Sequence, residues 1–273
     1  MKNNIKGQKQ LIKDVNKIFQ IFKASACEIR PHFVLTGESG SGKSLTIETL
    51  AIDNDLGYLC INAAQLTKEG TSGNSLSKAL SPLLNFGDKP TIVFVDEFDK
   101  LFISGNSNDS SAHESTTGVQ NEFLKVLEAD TSSVFGDYGK YINVNTKNIL
   151  FVFAGAFNGE KDITLDRLRE LGLKTEFLGR VGLVFNTSPL SLEDLFAIVD
   201  DSKLLNKYFE LFEDADKEKV TYEIKAHLQK HYEMNTLGAR LVNTLIHQYF
   251  IAGKLPEKEV KKIAFTKKLK LSE

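Results

Sequence analysis

The chain has no tryptophan, two cysteines, two methionines and five prolines in 273 residues. Cys27 and Cys60 have no metal-ligand spacing and are too few for a disulfide framework, so both are expected as buried, reduced thiols. Long apolar runs are missing as well. The longest, Ile149 to Phe157, falls far short of the roughly 20 residues that cross a bilayer. The opening Met1-Lys2-Asn3-Asn4-Ile5-Lys6 carries no apolar signal core. A cytoplasmic protein without a membrane partner is therefore expected. Excess charge is absent too: a formal −2 and a pI near 6.3 create no global field for nucleic acid or an anionic surface. What remains is ordinary globular material, 41% hydrophobic and 26% charged, with 19 phenylalanines to fill a core.

Short apolar runs at Phe33-Val34-Leu35, Tyr58 to Ile61, Thr91 to Val95 and Ile149 to Phe153 alternate with helical stretches. That is the pattern of a parallel sheet covered on both faces, and Val181 to Phe185 can add a fifth strand. The first helix is marked by Leu11, Val15, Ile18, Phe19 and Phe22. After Ser188-Pro189 the strand pattern fades into helices at 192–199, 205–212, 222–232 and 237–250, which sets a domain boundary at residue 187: 1–187 and 188–273. Gly105 to Thr117, rich in Ser, Asn and Asp, reads as a mobile loop.

Between the first strand and a helix opening at Leu45 lies Gly37-Glu38-Ser39-Gly40-Ser41-Gly42-Lys43-Ser44, a match to Gly-x4-Gly-Lys-Ser. Small residues let backbone N–H groups approach phosphates, Lys43 neutralises the β and γ oxygens, and Ser44 supplies a hydroxyl to Mg²⁺. The helix that follows directs its positive end at the same anions. The run Thr91 to Val95 ends in Asp96-Glu97, two acids at the carboxyl end of a strand, where an open parallel sheet binds its ligands. Asp96 can hold the metal's water shell and Glu97 can act as general base on water. Read alone, the pair could equally cap the next helix. Read with the loop, it points to water as the acceptor, and so to hydrolysis of a bound nucleotide rather than phosphoryl transfer to a metabolite.

These segments resemble, in shared order and spacing, the AAA+ ATPases, and among them the ClpX protein unfoldases. The carrying residues are Ile5-Lys6-Gly7-Gln8, the loop 37–44, "VFVDEFDK" from Val93, Gly118-Val119-Gln120 running into Phe123 to Glu128, "NILFVFAGAF" from Asn148, "EFLGR" from Glu176 and Gly238-Ala239-Arg240. The resemblance implies an α/β P-loop domain followed by a small, mainly helical one, a hexameric ring, and Ile5 and Lys6 near the adenine. It makes Arg180 an arginine finger for the neighbouring subunit and Arg240 a sensor for the phosphates of its own subunit. Read alone, either arginine would be taken for a surface ion pair. Asn158 is the polar group available at the sensor-1 position.

The departures matter as much as the matches. Where the family carries an aromatic pore loop, this chain reads Gly70-Thr71-Ser72-Gly73, and the loop that docks a ClpP-type peptidase is reduced to Asn158 to Thr164. The family's zinc-binding domain is not expected either, because the Ile5-Lys6-Gly7-Gln8 opening starts the chain. A hairpin across Val134 to Val144 either presents Tyr138, Lys140 and Tyr141 to a substrate or packs between subunits. The resulting expectation is an ATP-driven ring acting on a dedicated protein partner without a ClpP-type peptidase. The alternative is an assembly factor on DNA, for which the lysines between Lys254 and Lys270 would supply the contact; a solvated charged face is the plainer reading of them.

Overall fold

The computed structural model describes residues 5–67, 73–102, 110–136, 139–253 and 255, and, for 110–117, the backbone alone. Gly70-Thr71-Ser72, Tyr138 and the lysine-rich tail, Leu255 excepted, lie outside the described residues.

Helix α1 (Lys9–Ala24) buries Leu11, Val15, Ile18, Phe19 and Phe22, one stripe of a 3.6-residue period. Then come β1 (Phe33–Thr36), α2 (Lys43–Asp53), β2 (Gly57–Asn62), the short α3 (Leu76–Ala79), β3 (Thr91–Asp96) and α4 (Ser110–Glu128). The hairpin β4 (Thr131–Phe135) and β5 (Tyr141–Asn145) precedes β6 (Ile149–Gly155), α5 (Leu165–Glu170), α6 (Thr175–Arg180) and β7 (Leu183–Asn186). The sheet order is β2-β3-β6-β1-β7, every pairing parallel. β1 and β6 are buried throughout and β3 is buried from Thr91 to Val95, so these three read in sequence as unbroken apolar runs.

The edges depart from expectation. β2 buries Gly57 and Ile61 but leaves Cys60 exposed, because an edge strand has one neighbour and thinner cover; Cys27 is buried, and both thiols are free. β7 begins at Leu183 rather than Val181, whose N–H is engaged with the Phe177 carbonyl in capping α6. The loop expected over 105–117 gives way at Ser110 to α4. Helix propagation adds one bond per residue once Val119, Phe123, Val126 and Leu127 anchor the far end in the core.

Beyond Pro189 run α7 (Leu192–Asp200), α8 (Lys203–Leu211), α9 (Lys217–His231) and α10 (Arg240–Ala252). They enclose a core of their own around Leu195, Val199, Phe209, Ile224, Leu228 and Leu245. Ser191 and Asp194 form a reciprocal cap on α7. The chain's beginning is sewn to this region: the buried Gln8 amide donates to the Ser188 carbonyl (2.5 Å) and accepts the Ser188 N–H (2.9 Å).

One buried contact ties stability to pH. His32, 6% exposed, accepts the Phe151 N–H through Nδ1 at 3.0 Å and must be neutral to do so. Burial, helped by the Arg30 charge, lowers its pKa to about 3. A depressed imidazole pKa means that the unfolded chain binds the proton first, so this stability is complete above the ordinary histidine value near 6.5 and is lost as pH falls below it. Between pH 7 and pH 5 the loss attributable to His32 is about 2 kcal/mol. Urea unfolding of His32→Asn, whose amide oxygen can replace Nδ1 without titrating, is expected to show a pH dependence shallower by that amount. An unchanged slope would contradict it.

Candidate active site

The loop from Gly37 to Gly42 turns where side chains would not allow. Gly37, Gly40 and Gly42 have φ of 150°, 77° and 87°. Space is as tight as torsion: a Cβ on Gly40 would stand 2.0 Å from the Leu237 carbonyl oxygen, and one on Gly37 would stand 1.7 Å from Thr187 Oγ1. The curl brings the Lys43 ammonium over the loop's own carbonyls, with bonds to Gly37 O (2.6 Å) and Glu38 O (3.0 Å). Lys43 is 9% exposed. Burial pulls its pKa down, the charges of Asp96 and Asp99 push it back up, and Arg240 lowers it further. Among the described residues no carboxylate lies within ion-pair distance of it. Ser41 Oγ is also buried without a hydrogen-bond partner, and α2 begins with no side-chain cap. A buried ammonium, an orphan hydroxyl and an uncapped helix start together fit an anion such as a phosphate chain.

At the end of β3, Asp96 Oδ2 stands 3.5 Å from Ser44 Oγ, while Oδ1 accepts the N–H of Glu97 (2.9 Å). No group of three or more metal-binding side chains occurs among the described residues. One hydroxyl and one carboxylate suit Mg²⁺, which keeps several waters and takes its other ligands from phosphates. Glu97 sits in the left-handed region (φ 54°), a conformation that for such a residue must be held from outside. Asn62 orients its carboxylate, donating from Nδ2 to Glu97 Oε2 (3.1 Å) while its own Oδ1 accepts the Ala64 N–H (2.8 Å). Asn62 was missed in the sequence, although it follows the apolar run Tyr58 to Ile61 just as Asp96 follows Thr91 to Val95; in the sheet the two are register partners.

The helical region closes the site from above. Arg240 Nη1 donates to Ser39 Oγ (2.7 Å) and the Ala239 N–H to the Gly40 carbonyl (3.0 Å). A cavity of about 460 Å³ opens beside the loop, walled by Gly37 to Ser39, by Glu160 to Asp162, by Asn186 to Leu190 and by Tyr232 and Asn235. Thus Lys43, Ser44, Asp96, Glu97 and Arg240 are gathered at one end of the sheet. The remaining expected site residues have the following surroundings. Arg180 closes α6 and pairs with Glu128 (2.9 Å), both about half exposed. Lys6 pairs with Asp201 (2.5 Å), Ile5 is half-buried, and Leu45 is 52% exposed on α2. Asn158 is exposed in the turn after β6.

The chain is 29% identical over 264 residues to the ATP-dependent Clp protease ATP-binding subunit ClpX of Bacteroides fragilis, covering 80% of this chain and 63% of that protein. The protein of that name from Bacteroides thetaiotaomicron is 29% identical over 71% of this chain and 57% of its own length. ClpX 2 of Wolinella succinogenes is 28% identical over 84% and 67%. The chain therefore spans just under two thirds of the first of these relatives. Residues 33–170, half of the chain, match the family described as "ATPase family associated with various cellular activities (AAA)", and the chain belongs to that family.

Proposed function

We propose that this protein hydrolyses ATP in an oligomeric ring, a hexamer by analogy, and uses the reaction to remodel or act on a dedicated protein partner. The observation that carries the reading is the convergence of the buried Lys43 ammonium, Ser44, Asp96 and Glu97 on one crevice, with Arg240 of the helical region leaning on the same loop. The division into 1–187 and 188–273 belongs to this reading, since the crevice lies where the two would meet.

In this account the loop amides and Lys43 hold the phosphates, and Arg240 adds a second positive group. Ser44 and Asp96 would hold Mg²⁺, which when bound neutralises developing phosphate charge. Glu97 takes a proton from the attacking water, and Asn62 sets the direction of its carboxylate. Arg180 is half exposed and engaged with Glu128, away from its own loop, a placement suited to serving a neighbouring subunit. A finger supplied in trans contributes about 10³ to 10⁵ in rate, roughly 4 to 7 kcal/mol of barrier, so single subunits would be nearly inactive. The described helices include none long and apolar enough to cross a membrane, in keeping with a cytoplasmic site of action.

The partner would be gripped locally rather than threaded for degradation. Gly70-Thr71-Ser72-Gly73 has no aromatic surface to hold an arbitrary polypeptide, and Asn158 to Thr164 is too short for a peptidase-docking loop. The exposed Tyr141 and Ile142 of the hairpin are candidate contacts instead.

Two measurements test these statements. In calorimetric titration, Lys43→Ala is expected to lose ATP binding, whereas Glu97→Gln keeps the affinity of the unmutated chain and loses hydrolysis. Equal affinity in Lys43→Ala would remove the phosphate role of that lysine. A stable fluorescent protein with an unstructured tail is expected to stay folded when offered to the assembled protein with ATP, and to stay intact when ClpP is added. Its ATP-dependent unfolding or degradation would overturn the local-grip reading.

A further inference from the structure

Of the histidines whose side chains are described, two are already committed. His32 accepts the Phe151 N–H, and His247 Nδ1 shares a hydrogen bond with the Tyr208 hydroxyl at 2.8 Å. His227 and His231 have no hydrogen-bond partner among the described residues. Their rings face each other instead, both half-buried, with centroids 4.4 Å apart and planes inclined by 39°.

The helix imposes this pairing. Residues four apart stand one above the other, and α9 is fixed in place by Val220, Ile224 and Leu228, which it buries in the helical core. The two imidazoles therefore share one stripe and cannot part unless that packing is lost. Glu223, one turn earlier, is engaged by Tyr249. Imidazole nitrogens with free lone pairs on adjacent turns are ligands for Zn²⁺, Cu²⁺ and Ni²⁺. With Zn–N bonds of about 2.0–2.1 Å, a tetrahedral ion shared by both rings sets their centroids roughly 5 Å apart. The pair reaches that by opening less than about 1 Å, within the freedom of half-exposed side chains. The position suits a cation as well, because His231 ends α9, where the last carbonyls present the negative end of the helix dipole. Burial, helped by His231 and Lys230, lowers the His227 pKa, which leaves that ring neutral at pH 7.

We propose that His227 and His231 form a two-histidine clasp for a divalent transition-metal ion of the Zn²⁺ class, which fastens the last turn of α9. Among the described residues no third side chain completes a metal group, so water takes the other positions and the ion is exchangeable. The effect reaches the cavity beside the phosphate loop. His231 leads directly into Tyr232, whose hydroxyl donates to the Leu190 carbonyl (2.9 Å), and the Asn235 N–H donates to the Tyr232 carbonyl (3.0 Å). Tyr232 and Asn235 both wall that cavity, and an ion in the clasp stiffens this wall. The inference holds whether or not the chain hydrolyses ATP.

The test uses the full chain without an affinity tag or nucleotide, in excess Mg²⁺ so that sites built from oxygen ligands are filled. Calorimetric titration with Zn²⁺ is expected to show saturable uptake of about one ion per chain. His227→Ala and His231→Ala should each weaken uptake at least about tenfold. His247→Ala, on another helix, should leave it within about threefold. Hydrogen exchange at the Asn235 amide should slow at least about threefold when Zn²⁺ is added to the unmutated chain, and should not respond in either clasp variant. If an alanine variant does not fold, the paired exchange Lys230→His with His231→Lys keeps composition and breaks the four-residue spacing, and should lose uptake equally. No saturable uptake, uptake kept within about threefold in both clasp variants, an equal loss in His247→Ala, or unchanged exchange at Asn235 with the ion bound would overturn the proposal.

Discussion

A lysine ammonium kept almost out of water, with two carbonyls of its own loop accepting from it, is the interaction around which the site is arranged. Burial lowers the Lys43 pKa, and the nearby acids Asp96 and Asp99 offset that by their field without reaching ion-pair distance. An anion held in the loop would add a charged partner to this ammonium. The surrounding structure serves this one group: three glycines let the backbone curl around it, α2 starts at it, and β3 carries Asp96 to the facing side. Substituting any of those glycines meets a forbidden torsion, and at Gly37 and Gly40 the added Cβ also strikes residues 187 and 237.

That last contact joins the loop to the helical region. Leu237 to Arg240 touches the loop through the Ala239 N–H and the Arg240 guanidinium, and the opening at Lys6 to Gln8 touches the same region from the other end through Asp201 and Ser188. On the proposed reading, a nucleotide that reshapes the loop would also shift the balance of these contacts. On the opposite side, Phe98 follows Glu97 and stacks on Phe177 (5.2 Å, 29°) in α6, the helix that ends at Arg180. One aromatic contact thus stands between the residue read as the base and the residue read as the finger.

Much of this was legible because its causes are local. Apolar runs gave β1, β3 and β6, the glycine spacing located the loop, and an acid pair at a strand end located Asp96 and Glu97. What escaped depends on order in the sheet or on contacts far along the chain. Nothing local distinguishes β2 as an edge, so Cys60 was expected inside and lies outside. Gln8 meets Ser188 across 180 residues, and the left-handed backbone at Glu97 and Phe157 belongs to residue types that local preference argues against. Asn62 was within reach, since a polar residue at the carboxyl end of a predicted strand is the same signal that identified Asp96.

The central claim is that one subunit's loop is completed by its neighbour's Arg180, and mixing two defective chains tests it most directly. Arg180→Ala keeps an intact loop, and Lys43→Ala keeps an intact finger. Each alone is expected to be inactive, and mixed oligomers of the two should recover ATP hydrolysis, because some intact loops then face intact fingers. No recovery at any ratio, in assemblies verified to contain both chains, would contradict the account.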